Sequence, residues 1–110
     1  MKIRTLLLVL LLLNPAWSYA EEAWGPDLIE FDLEGGTKIQ TMLWISGFSY
    51  SSTEFLRSAG CLSNRKYIGS RELIIALNTV FKGREITSES ATEELGKYVR
   101  FSYPCAVYNQ

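Results

Sequence analysis

The chain is 110 residues long, with eleven basic and twelve acidic side chains, two cysteines and no histidine. A net charge of −1 leaves no basic surplus to neutralise phosphates, which argues against nucleic-acid binding. Without histidine there is no Ser-His-Asp or Cys-His arrangement and no His-based metal site, and Gly35-Gly36 lacks the Gly-Lys-Ser/Thr of a phosphate loop.

The chain opens with Lys2 and Arg4, followed by an unbroken apolar run over residues 6–13. Asn14-Pro15 breaks the run, and Ser18 and Ala20 are small residues where a signal peptidase reads. This order predicts a cleaved secretory signal over residues 1–20. The apolar run is far shorter than the roughly 20 residues that a bilayer span requires. After cleavage nine basic and twelve acidic residues remain, a net charge of −3. A domain this small is marginal without a crosslink. In an oxidising compartment its only two cysteines, Cys61 and Cys105, are expected to form a structural disulfide. A reactive thiol is disfavoured because there is no Cys-x-x-Cys spacing and no histidine to act as base.

Residues 21–36 mix apolar and acidic side chains around Gly25-Pro26 and end at Gly35-Gly36. They read as a solvated arm whose Trp24, Ile29 and Phe31 pack loosely, with a short extended piece near Phe31 and Leu33. The sharper alternative is an acidic, aromatic arm that meets a basic partner. Residues 37–58 read as the first helix, capped by Thr37. Ile39, Met42, Leu43, Ser46, Gly47 and Tyr50 lie at helical spacing along one face, while Trp44, Phe48 and Phe55 add a second. Apolar residues on two faces suggest a central helix. Gly47 is expected to admit the close approach of another helix, and the polar run 49–53 could bend or break the rod. Gly60 ends this region.

Residues 61–69 form a polar connection in the most basic part of the chain, with Arg57, Arg65, Lys66 and Arg71 close together. Residues 70–82 predict the clearest helix, with Ser70 as N-cap, an apolar stripe from Leu73, Ile74, Leu77, Val80 and Phe81, and Gly83 as the stop. Ile86 is placed to staple the next start. Residues 88–103 predict the last helix, capped by Thr87, Ser88 or Ser90, with Ala91, Leu95, Tyr98, Val99 and Ser102 on one face and Pro104 ending it. Residues 106–110 read as a tail. The fold class expected is therefore all-α, a small helical bundle with one disulfide after a cleaved signal peptide. Glu89, Glu93 and Glu94 read as solubilising side chains, and no enzyme activity, cofactor or metal is expected.

The segment Leu43-Trp44-Ile45-Ser46-Gly47-Phe48, with Phe55-Leu56 after it, resembles the Tyr-Ile-x-Gly-Val helix of the Rap/Tai immunity proteins. Cys61, Glu72-Leu73-Ile74, Val80-Phe81 and the closing Tyr103-Pro104-Cys105 resemble the rest of that domain, so the likeness covers about residues 40–105 and frames a Rap/Tai-like domain over 37–110. Met42 stands where members carry a further cysteine, and Leu62-Ser63 follows Cys61 where Ile-Pro is usual. The resemblance implies a small helical periplasmic or secreted protein that neutralises a cell-wall (peptidoglycan) amidase effector of a type VI secretion system by occlusion, without chemistry of its own. Partner contacts differ among members and do not carry over. Loops are where a rigid scaffold places contacts, so Arg65, Lys66 and Tyr67, or the turn at Arg84, are the expected partner-binding residues. A homodimer stays open, and no membrane insertion is expected after cleavage. Two readings of other classes stand beside this one, a periplasmic acid-stress chaperone and an accessory subunit of an envelope complex.

Overall fold

The computed structural model describes residues 25–109. The expected signal segment 1–20 and Trp24 lie outside them. Three helices carry the fold: α1 (Lys38–Ser58), α2 (Ser70–Phe81) and α3 (Ser88–Ser102). Short 3-10 turns, Pro26–Leu28 and Ala106–Asn109, precede and follow them. The bundle is mostly helical, as expected, but it includes a two-residue parallel pairing of β1 (Asp32–Leu33) with β2 (Glu85–Ile86).

Local chemistry sets the helix ends. Thr37 accepts a hydrogen bond from the Gln40 N–H, and the Gln40 side chain returns one to the Thr37 N–H at 2.9 Å, a reciprocal capping box. Gly60, with φ +77°, turns the chain after α1 at a backbone angle where glycine carries no Cβ penalty. Ser70 is not the cap of α2 but its first residue. The cap position is Gly69, whose N–H donates to the Glu72 carboxylate at 3.0 Å. Gly83, at φ +76°, follows α2 as anticipated. Of the three hydroxyl residues available at the start of α3, Thr87 is the cap, accepting from the Ser90 N–H at 3.1 Å. Ser90 therefore sits inside the helix, and its spacing to Glu93 plays no capping role.

The core draws on every segment. Ile45 and Leu56 of α1, Leu73, Ile74 and Leu77 of α2, and Ala91, Leu95 and Val99 of α3 are buried together with Ile68 and Ile86. Ile29, Phe31 and Leu33 are buried in the same cluster, so the segment from Gly25 to Gly36 is not a solvated arm. Its backbone is zipped into the domain. Asn78, in the last turn and a half of α2, donates to the Leu28 carbonyl at 2.8 Å and accepts from the Glu30 N–H at 2.9 Å. Gly83 N–H then donates to Glu30 O, Asp32 N–H to Arg84 O, and Glu34 N–H to Ile86 O. Lys38 Nζ closes on the Ile29 carbonyl at 2.8 Å. These backbone hydrogen bonds and three buried apolar side chains make this stretch a layer of the core.

The first helix differs from expectation in two ways. It is continuous through the polar run, because the hydroxyls of that run hold another segment. Ser49 Oγ donates to the Ile68 carbonyl, and Thr53 Oγ1, itself buried, accepts from the Ile68 N–H at 2.9 Å. One turn on, Arg57 donates to the carbonyls of Ser63, Asn64 and Lys66. Ser49, Thr53 and Arg57 thus form one row, spaced four residues apart, that fastens the 61–69 connection and lets Ile68 bury its side chain. The second difference is the choice of face. Thr41, Ile45, Thr53 and Leu56 point inward, whereas Ile39, Leu43 and Tyr50 face solvent. Gly47 lies on the outer side, and a Cβ there would meet nothing within 4 Å, so it does not mediate the helix packing expected of it.

Cys61 and Cys105 are joined, with Cα atoms 5.6 Å apart across a separation of 44 residues. Two stability measurements follow. Replacing both cysteines by serine lowers unfolding free energy by about 4 kcal/mol in the loop-entropy account, read as the urea midpoint. Thr53→Val strands the buried Ile68 N–H and costs about 1–3 kcal/mol, whereas an unchanged midpoint would refute the clamp.

Candidate functional site

The expected contact residues fall into two separated groups. Arg65, Lys66 and Tyr67 are exposed on the connection before α2. Arg84 lies after the far end of α2, where its guanidinium carbon sits 5.7 Å from the centre of the Phe81 ring. Twelve helical residues at about 1.5 Å each put roughly 18 Å between the ends of α2. The structure does not bring Arg84 into a common site with the other three.

What it does bring beside Arg65, Lys66 and Tyr67 is the outer face of α1. The connection is fastened along Ser49, Thr53 and Arg57, the row adjacent to Tyr50 and Glu54 on the helix surface. That outer face exposes Leu43 to 67% and Tyr50 to 69%, with Ile39 beyond them and Gly47 between. From residue 39 to residue 53 no side chain is charged. Glu54 follows, paired with Arg57 at 3.2 Å one turn later. An uncharged helix surface with two large apolar side chains mostly in water is the chief unsatisfied feature of α1.

A second apolar surface lies between α2 and α3. Ile75, Val80 and Phe101 border an open groove there, and Phe101 is 88% exposed. One end of this groove is built from polar groups. The Glu72 carboxylate accepts from the Tyr98 hydroxyl at 2.5 Å and from the Tyr103 hydroxyl at 2.8 and 2.9 Å, in addition to the Gly69 N–H. One carboxylate therefore caps α2 and ties it to the last two turns of α3. Burial, reinforced by the Glu72 charge, pushes the Tyr103 phenol well above its usual range and moves Tyr98 in the same direction. At the opposite end of α3 the Glu34 carboxylate accepts from the Ser88 N–H at 2.7 Å, which holds its pKa below the ordinary value. Glu34 reaches there with φ +52°.

Each of these carboxylates ties one segment of the chain to another. Among the described residues no group of three His, Cys, Asp or Glu side chains could hold a metal ion. No described helix is long and apolar enough to cross a membrane.

No family model, curated protein or solved structure matches the chain.

The outer face of α1 went unrecognised in the sequence because it carries the apolar periodicity expected of a buried face. The usable signal was the missing charge over residues 39–53, read together with the hydroxyl row that the inner side needs.

The tyrosine pair gives a sign for pH dependence. A phenol whose pKa is raised by folding keeps its proton where the unfolded chain has lost it. Its stabilising contribution is complete below about pH 10 and is lost as pH rises through the folded value. The urea midpoint should fall with rising pH above about 10, and Tyr103→Phe should flatten that fall while costing about 1.5–3 kcal/mol at neutral pH.

Proposed function

We propose that this chain is an exported immunity-type binding protein that neutralises a cell-wall amidase effector by covering it with a folded surface. The observation that carries the proposal is the outer face of α1, uncharged from residue 39 to residue 53 and bordered by the exposed basic connection at Arg65 and Lys66. An apolar centre with a charged rim is the usual layout of a protein-binding patch, and exposed tyrosine and leucine side chains there supply its anchors. The helix resembling the Rap/Tai Tyr-Ile-x-Gly-Val segment is this same α1. The Cys61–Cys105 disulfide is compatible with an oxidising compartment. Nothing in the proposal requires the protein to do chemistry. Its partner loses activity because its substrate cleft is covered.

The test is capture from a native periplasmic extract with the tagged protein, followed by mass spectrometry and a peptidoglycan hydrolysis assay. The expected result is one amidase at near-stoichiometric amount, inhibited on binding. Leu43→Asp with Tyr50→Asp should keep the helical circular dichroism and weaken capture by at least roughly tenfold, the scale of losing two interface anchors. Capture of many unrelated proteins, and only after an acid shift, would replace this proposal with the chaperone reading.

A further inference from the structure

The C-terminal 3-10 turn, Ala106–Asn109, forms one wall of a pocket of about 240 Å³ between α1 and α3. Phe48, Phe55 and Leu56 of α1 and Val99 of α3 make its lining mostly apolar. Three further observations concern polar groups and space. Tyr108 lines the pocket, while its hydroxyl is shielded from solvent and has no hydrogen-bond partner. Arg100 is the only charged residue lining the pocket, and no carboxylate lies within ion-pair distance of it among the described residues. Its charge acts on the Tyr108 phenol, opposing the upward shift that burial causes. Gly96, one turn before Arg100, also lines the pocket. A Cβ there would meet only Arg100 Nη2, at an ordinary contact distance of 3.8 Å. Packing therefore does not require glycine at a helix-interior position where alanine would favour the helix. The missing side chain leaves the space beside Arg100 open.

We infer that this pocket is a binding site for a small monocarboxylate with an apolar body, its carboxylate held by Arg100 and its ring or short chain lying on Phe48, Phe55 and Val99. A guanidinium donates to a carboxylate, and Ser51 and Ser52 add two hydroxyls at the α1 side of the pocket. The volume is below the range of about 300–1,000 Å³ typical of drug-sized ligands, which limits the occupant to one ring or a short acyl chain. The turn that carries Tyr108 follows directly on Cys105, so the disulfide anchors the pocket wall to the loop after α1.

Titration of the ¹⁵N-labelled protein with phenylacetate, hexanoate and indole-3-acetate, each beside its neutral amide, tests this site. At least one carboxylate should bind saturably, with Kd of about 1 mM or tighter, and should shift the amides of Gly96, Val99 and Tyr108. Its amide should bind roughly tenfold more weakly. Arg100→Gln should remove that discrimination, and Gly96→Leu, checked for an unchanged helical spectrum, should abolish binding by filling the pocket. Equal binding of acid and amide would overturn the inference. So would shifts mapping elsewhere, or no saturable shift with any of the three acids.

Discussion

Backbone N–H and C=O groups that leave water must find partners, and two irregular segments of this protein do so through side chains of the helices they cross. Asn78 satisfies the backbone on both sides of Ile29. Ser49 and Thr53 satisfy both backbone groups of Ile68. In each case a buried isoleucine, fully shielded from water, is the reward for a pair of side-chain hydrogen bonds. Without these clamps the three helices would lack two sides of their core. The polar residues within α1 and α2 are thus as much a part of packing as the leucines beside them.

The covalent tie and the strongest polar tie meet at the same end of the bundle. Cys105 follows the C-terminus of α3 by three residues, and the disulfide links it to Cys61 at the exit of α1. Tyr103, two residues before Cys105, reaches the Glu72 carboxylate at the start of α2. The exit of α1, the start of α2 and the end of α3 are therefore linked through a few neighbouring residues. Hydrogen bonds to a charged acceptor contribute more than neutral ones, about 1.5–3 kcal/mol each. The far end is held differently, by the β1–β2 pairing and by Glu34 on the first N–H of α3.

Tying the interior so thoroughly leaves α1 with an outer surface that the fold does not use. A 21-residue helix needs one face for the core, and here the inner row combines Ile45 and Leu56 with hydroxyls. Leu43 and Tyr50 stay about two-thirds exposed where they stand. Large apolar side chains kept in water over several turns are the reason for proposing a protein partner there. The pocket at Arg100 and Tyr108 lies toward α3 and the C-terminal turn, so the two proposals concern different residues.

Much of the architecture was legible in the chain. The helix stripes of α2 and α3 (apart from Val80 and Ser102, which stay exposed), the Thr37 cap, the stops at Gly60 and Gly83, and the pairing of the only two cysteines all follow from local rules, because periodicity, capping and the lack of another thiol act over short distances or leave one choice. Three decisions belonged to tertiary structure. Ile29, Phe31 and Leu33 enter the core because Asn78 and β2 offer partners some fifty residues away, which no local window contains. Which face of α1 turns inward was undetermined, since apolar residues surround the helix and only the position of Ile68 makes Thr53 an inner residue. Arg65, Lys66 and Tyr67 were recognisable as an exposed basic loop, but only the fold shows that this loop is fastened along α1. The sequence by itself determined, to within a residue or two, where the helices begin and end. Only the assembled fold decided which of their surfaces remain for a partner, because burial is a property of pairs of segments and not of either one alone.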